Sequence, residues 1–345
     1  MHLPADTAPQ SGVMLCWPHA GTDWQDCLDA ADATYIEITR AIAPREPVLI
    51  ICHAPSHRDR IQLMLEQAGL DRQRTHFTIA ATNDTWVRDY GPLGLVDGDE
   101  PRLLDFTFNG WGNKYASGLD NAVTRTLHAG GLFGNVELRS HPLVLEGGSI
   151  EMDGEGTLLT TSRCLLDSGR NPGENRHSLE HLFRELFGIE RVLWLDHGAL
   201  EGDDTDGHID MLARFCDAGT IAYSQCPDAE DNNHPGLSAM ETQLRGFRDR
   251  NGQPYRLVAL PLPRPVYDTA GRRVPASYAN FLVINGAVLI PVYDDPADDI
   301  ARKHLAACFP DRDIVPVNCL TLIHQYGSLH CATMQLPRGV LTLPT

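Results

Sequence analysis

Five segments of this chain repeat one local shape, and few folds can accommodate all five. Four of them set a reactive or charged side chain just ahead of an alternating apolar strand and a tight-turn signal: Asp89 in WVRDYGP, Glu146 in LEGGSIEM, His208 with Asp210 in DTDGHIDML, and Cys331 in LHCATMQLP. The turns are Asp97-Gly98-Asp99, Asp153-Gly154-Glu155-Gly156, Asp217-Ala218-Gly219 and Pro337-Arg338-Gly339. In the fifth, SYANFLVINGAVLIPV, Asn280 stands at the front and Asn285-Gly286 at the turn. Asn-Gly between alternating apolar runs is the strongest short-range hairpin signal. Like-shaped units with polar groups at equivalent places predict a rotational array whose special residues meet at the axis.

Helix and strand signals fill the gaps between hairpins. Leu179, Leu182, Phe183, Leu186 and Phe187 recur at helical spacing over 178–187, with Ser178 as the expected cap, Gly188 as the stop and RVLWL as the next strand. Further helices are expected at 296–308 and 236–249, and near 24–43, 57–69 and 118–129. YRLVALPLP and IVPV read as the strands after 236–249 and 296–308. Hairpin, helix and strand therefore recur about every 60 residues, a longer period than that of common solenoid repeats. The pattern predicts an α/β chain of five ββαβ-type units closed into a ring, with residues 1–345 as one catalytic domain. A doubly wound sheet is the main rival, but neither a G-x-G-x-x-G turn nor a Walker loop is found.

Composition narrows the partners. With 46 acidic and 28 basic residues the formal net charge is -18. That argues against nucleic acid, which demands concentrated Lys and Arg, and fits a small cationic substrate. The nine cysteines are scattered without a C-x-x-C pair, so neither a disulfide framework nor a structural zinc site is expected, and a reducing, cytoplasmic setting follows. No apolar run approaches the length of a membrane span, so no membrane partner is expected. Self-association into a homo-oligomer is compatible with these properties.

The special residues suggest nucleophilic chemistry on a cation. Cys331 sits at a strand edge beside His330, among Gln325, Tyr326, Gly327 and Ser328, a setting that favours thiolate formation, with a structural thiol as the commoner alternative for a lone Cys after His. Strand alternation puts His208 and Asp210 on one face. Asp89 can pair with a guanidinium, with Trp86 walling its apolar tail. The glycines after Glu146 allow close backbone approach. Asp204, in the same acidic stretch as His208, is read as a further substrate contact. Trp17 and Trp111 read as packing residues. A different chemistry stays open: His208 and Asp210 as half of an Fe(II) oxygenase triad, with His324 or His330 as the distal ligand.

Together these segments resemble the agmatine deiminase and bacterial-type peptidyl-arginine deiminase family of the guanidino-group-modifying (pentein) superfamily. The resemblance runs nearly end to end through WPH, WVRDYGP, DFTFNGWGNKY, LEGGSIEMDGEGTLLTT, CLLDSGRNP, DDTDGHID, ASYANFLVINGAVLIP and LHCATMQLP. It implies a five-fold pseudosymmetric α/β propeller and cofactor-free, metal-free hydrolysis of a guanidinium through a covalent thiouronium. It also implies that Cys331 is the nucleophile, His208 the general acid/base, Asp89 and Asp210 the guanidinium carboxylates, and Glu146 a support for the histidine or substrate. Agmatine is the expected substrate. Free or peptide-linked arginine is the alternative, and would draw on Arg272 and Arg273. HQYGSLHC departs from the glycine-rich family pattern, so Tyr326 and Leu329 are expected to reshape that side of the pocket.

Overall fold

The computed structural model describes residues 1–98 and 100–341, so Asp99 of the first expected turn lies outside the described residues. It is a mixed α/β molecule of several small sheets, five of which share one plan: an antiparallel pair, then a parallel strand beyond it. Leu93–Asp97, Glu100–Thr107 and Glu137–Val144 form one. Ile150–Met152, Thr157–Thr161 and Arg191–Leu195 form the next. Ala213–Asp217, Thr220–Gln225 and Arg256–Pro261 follow, then Leu282–Ile284, Ala287–Val292 and Asp313–Asn318. In each, a helix carries the chain to the parallel strand, as parallel pairing requires a crossover.

The fifth sheet departs from the hairpin expected at Pro337-Arg338-Gly339. Thr333–Pro337 pairs antiparallel not with a following strand but with Gln10–Cys16, with Leu15 opposite Thr333 and Gln10 opposite Pro337. Val48–Cys52 and Thr75–Ile79 extend this sheet in parallel. Gln10–Cys16 is flanked on both sides, which explains why GVMLC is a continuous apolar run rather than an alternating one. Asn285 adds a link between sheets. Its side-chain amide donates to the Gln10 carbonyl at 2.9 Å and its Oδ1 accepts from the Gln10 N–H at 3.1 Å.

The helices lie where periodicity placed them, at Arg176–Phe187, His234–Gly246 and Ala297–Cys308, with Leu28–Ile42, Pro55–Gln67 and Val123–Ala129 for the weaker signals. One cap differs. Asn175, not Ser178, begins the 176–187 helix, because Asn175 and Ser178 exchange side-chain bonds as a capping box. Gly188 closes it at φ 64° as expected. The buried apolar side chains form one contiguous cluster that reaches from Leu3 to Leu341. No helix among the described residues is long and apolar enough to cross a membrane. All nine cysteines are free thiols.

Candidate active site

Each special residue sits on the short irregular stretch before its sheet. Asp89 lies in the helical turn Val87–Tyr90, Glu146 precedes the turn Gly147–Ser149, and Asp210 lies in the turn Ile209–Met211. His208 and Asp210 are thus not alternating strand residues as the sequence predicts, and they face different partners. All are buried, as are Asn280 and Cys331.

His208 stands between two carboxylates, with Nδ1 3.6 Å from Asp89 Oδ1 and Nε2 3.5 Å from Glu146 Oε2. Neither nitrogen completes a hydrogen bond, so the ring is held by charge with its donors uncommitted. Burial opposes charge on His208, but Asp89, Cys164 and Glu146 outweigh it and raise it well above the usual imidazole range. Burial pushes Asp89 up to about 6 against the pull of His208. Asp89 also accepts from the Trp111 indole at 2.8 Å and the Gly148 N–H at 3.0 Å.

Cys331 occupies a second cluster. Its thiol donates to Asp210 Oδ2 across 3.6 Å, and Asn280 Nδ2 donates to the sulfur at 3.2 Å. Asn280 Oδ1 accepts from the His330 N–H at 2.8 Å, which fixes the orientation of that amide. Burial, then Asp210 and Asp89, push the thiol well above its ordinary range. Asp210 is held below the carboxylate range despite burial, chiefly by its hydrogen bond with His330, and its Oδ1 has no partner among the described residues.

Both clusters meet at the floor of a cavity of about 520 Å³ lined by Asp23, Asp84, Trp86, Asp89, Trp111, Tyr115, Asp204, Tyr326 and Cys331, among others. Asp89 and Cys331 form the floor. Glu146, His208 and Asp210 stand directly behind it, where Gly148 lets them converge. A Cβ on Gly148 would lie 2.7 Å from His208 Nδ1, 2.8 Å from Asp89 Oδ1 and 3.1 Å from Asp210 Oδ2. Gly148→Ala is therefore expected to keep the fold and lower kcat about 100-fold, the usual result of displacing reacting groups by an ångström. Steady-state kinetics beside a thermal melt checks it.

A match to the family model for Porphyromonas-type peptidyl-arginine deiminase covers residues 2–337. The chain belongs to that family. It is 35% identical to the agmatine deiminase of Ectopseudomonas mendocina over 97% of this chain and 95% of that one. The substrate-bound structure of C. jejuni agmatine deiminase superposes with a TM-score of 0.91 at 36% identity, covering 98% of this chain and 97% of that one. A Porphyromonas gingivalis protein assigned as an arginine deiminase superposes with a TM-score of 0.91 at 45% identity, covering 99% of both chains.

The structure brings Cys331, His208, Asp89, Asp210 and Glu146 together, Asp89 and Cys331 at the cavity floor and the other three behind it, with Trp86 and Asp204 among the lining residues. Sequence reading missed what stands behind them. Arg170, fully buried, puts Nε 3.0 and 2.8 Å from the two oxygens of Glu146, and spans to Asp206 and the Thr205 carbonyl on the loop before His208. With His208, it keeps Glu146 below its usual range despite burial. Cys164 adds a thiol 3.7 Å from Glu146. Trp111, read as a packing residue, instead donates to Asp89 and lines the cavity. Trp17 is a core residue as expected, bonded to Asp32. Tyr326 lines the cavity, whereas Leu329 is fully buried away from it.

The oxygenase geometry is not formed. His330 Nδ1 lies 2.8 Å from Asp210 as a hydrogen-bond partner, while His208 faces Asp89 and Glu146. Among the described residues, the potential ligand atoms that do cluster belong to Glu146, Cys164 and His208. Arg170 already covers both oxygens of that carboxylate, which fits a cation site poorly.

Proposed function

We propose that this protein is an agmatine deiminase, hydrolysing the guanidinium of agmatine to N-carbamoylputrescine and ammonia. One observation carries the reading: two carboxylates, Asp89 and Asp210, stand against the Cys331 thiol, and Asp210 Oδ1 is a buried acceptor with no hydrogen-bond partner among the described residues. Such an acceptor is costly when buried and becomes satisfied when a flat, donor-rich cation enters.

Asp89 and Asp210 would grip the guanidinium, each charge contact near 4 Å worth about 4 kcal/mol at an effective dielectric of 20 before desolvation. The bound cation favours the ionised forms of Asp89 and Cys331. Sulfur attacks the guanidino carbon, and His208 protonates the departing ammonia. Water deprotonated by His208 then cleaves the thiouronium, freeing the ureido product and the sulfur. Neither a metal nor an organic cofactor enters these steps. Five sheets of one plan support reading the fold as a five-fold pseudosymmetric propeller, and the contiguous core supports a single domain over 1–345. The partner is a small guanidino cation rather than nucleic acid or membrane, in a cytoplasmic enzyme open to homo-oligomerisation.

The tail supports agmatine over arginine. Asp23, Asp84 and Asp204 line the cavity, and no Lys or Arg does so among the described residues, which suits a terminal ammonium and repels a carboxylate. Arg273 is bound by Asp231 and Glu201 and is not free to receive a carboxylate. Arg272 favours the second reading, arginine deimination, since it stands 6.0 Å over the Tyr326 ring, although Asp268 holds its Nε at 2.8 Å. Ammonia release from agmatine, arginine and an arginine peptide separates the two readings. Asp204→Asn is expected to raise KM for agmatine about 10-fold, the loss of one modest ionic contact, with kcat little changed. Faster turnover of arginine than agmatine would overturn the agmatine assignment.

A further inference from the structure

His208 cannot serve every proton in this reaction. It is already charged, faces Asp89 and Glu146, and needs its proton for the departing ammonia. Yet Cys331 is a thiol at rest and must lose a proton before it attacks. The row of atoms on its other side offers a destination. Cys331 Sγ lies 3.6 Å from Asp210 Oδ2, and that same oxygen lies 2.8 Å from His330 Nδ1, close enough for a proton to pass from one to the other. The far nitrogen, His330 Nε2, is 3.1 Å from Asp6 Oδ2.

Asp6 comes from the segment ahead of Gln10–Cys16. Its carboxylate is gripped by Arg214 and by Gln335 Nε2 at 3.0 Å, and its side chain is 23% exposed. Asp6 and His330 both line a second cavity of about 600 Å³, bounded also by Arg88, Glu151 and Gln335 but by none of the substrate-cavity residues. The groups facing His330 are thus Asp210 and Asp6, which favour its charge, and Arg214 and Arg88, which with burial oppose it and leave it low in the resting site. Arg214 is itself answered by Glu151 at 2.6 Å.

We propose that His330 receives the thiol proton of Cys331 through Asp210 Oδ2, and that Asp6 is the positioning residue that fixes the receiving nitrogen. By accepting the Nε2–H, Asp6 leaves Nδ1 as the nitrogen that takes the proton, and the 2.8 Å separation suits the Nδ1–H···Oδ2 bond of the transferred state. The Sγ–H bond breaks and an Nδ1–H bond forms. Neutral thiol and neutral imidazole become thiolate and imidazolium, with no change in total charge. The imidazolium then lies between two carboxylates, and Asn280 donates to the thiolate. Asp210 divides its oxygens: Oδ2 serves this transfer and Oδ1 remains for the substrate. The two histidines thereby hold opposite duties, one giving a proton to nitrogen and the other taking one from sulfur.

The proposal rests on deimination by Cys331, so its test has a reading independent of turnover. Alkylation of Cys331 by iodoacetamide, located by peptide mass and followed against pH, reports the thiolate in the full chain. His330→Gln is expected to lower kcat about 100-fold, the scale of lost general-base help, with KM within about 3-fold. Asp6→Asn is expected to lower kcat about 10-fold, as loss of an imidazole-orienting carboxylate does, and Asp6→Glu to recover most of it. In His330→Gln and Asp6→Asn the alkylation curve moves upward by about one pH unit or more, a tenfold loss of thiolate at fixed pH. Folded variants with the wild-type alkylation curve and kcat overturn the proposal. Should His330→Gln melt below assay temperature, Asp6→Asn decides by the same readings. If the wild-type chain turns over no guanidino compound while alkylation still depends on His330, the functional reading fails and the proton acceptor stands.

Discussion

Cys331→Ala is expected to release no ammonia from agmatine above background, a loss of about 10⁴-fold or more in kcat, because removal of a nucleophile leaves only binding and electrostatic help. The substitution subtracts one sulfur from a cavity floor and buries no new charge, so the thermal midpoint should stay near that of the wild type. Agmatine should still bind, since Asp89, Asp210 and the acidic wall are untouched. Calorimetric titration of the variant with agmatine, beside an ammonia assay, checks both halves. A variant that keeps turning over would remove sulfur from the chemistry altogether. Detecting the alkylthiouronium on Cys331 by mass after acid quench of the enzyme during turnover would fix the order of steps, because attack and loss of ammonia precede the water step.

Arg170→Met carries the second large effect, and it falls on stability as well as rate. The Arg170–Glu146 pair has no solvent exposure on either side chain. Removing the guanidinium leaves a buried carboxylate beside His208 with one partner fewer, a change that costs about 3–5 kcal/mol in comparable buried pairs. It also releases the Thr205 carbonyl and leaves Asp206 to Lys114 alone, and Asp206 is a non-glycine residue at φ 67° that needs its neighbours to hold that backbone. The loop carrying His208 should loosen, and kcat should fall together with the melting temperature. Arg170→Lys would restore charge but not the paired contact to both oxygens of Glu146, and is expected to recover little. Denaturant unfolding with parallel kinetics gives both quantities. Unchanged stability would show that Glu146 does not need this partner.

The sequence revealed the units because hairpin chemistry is local: Asp153 Oδ1 accepts from the Glu155 and Thr157 N–H groups at 2.7 and 2.8 Å, a turn written within five residues. The polar residue ahead of each hairpin was legible for the same reason. What stayed hidden depends on partners far along the chain. Arg170 answers Glu146 across 24 residues and Asp206 across 36, and nothing in SGRNP distinguishes it from a surface arginine. Trp111 looked like packing because its partner, Asp89, is 22 residues away and becomes its neighbour only in the fold. His330 was weighed as a metal ligand, yet Asp6, which gives it another occupation, lies 324 positions away. The hairpin expected at Pro337-Arg338-Gly339 does not form because a strand's mate need not follow it. Gln10–Cys16 had already been made.

That last pairing sets the timetable on which this protein is assembled. During synthesis the strand at residues 10–16 leaves the ribosome early, and one of its two apolar flanks stays bare until residues 333–337 emerge. Pairing of such sequence distance is slow to form and exposes a sticky edge in the meantime. The thiol arrives with that same segment, so a chain interrupted before it lacks both the nucleophile and the cover for that edge.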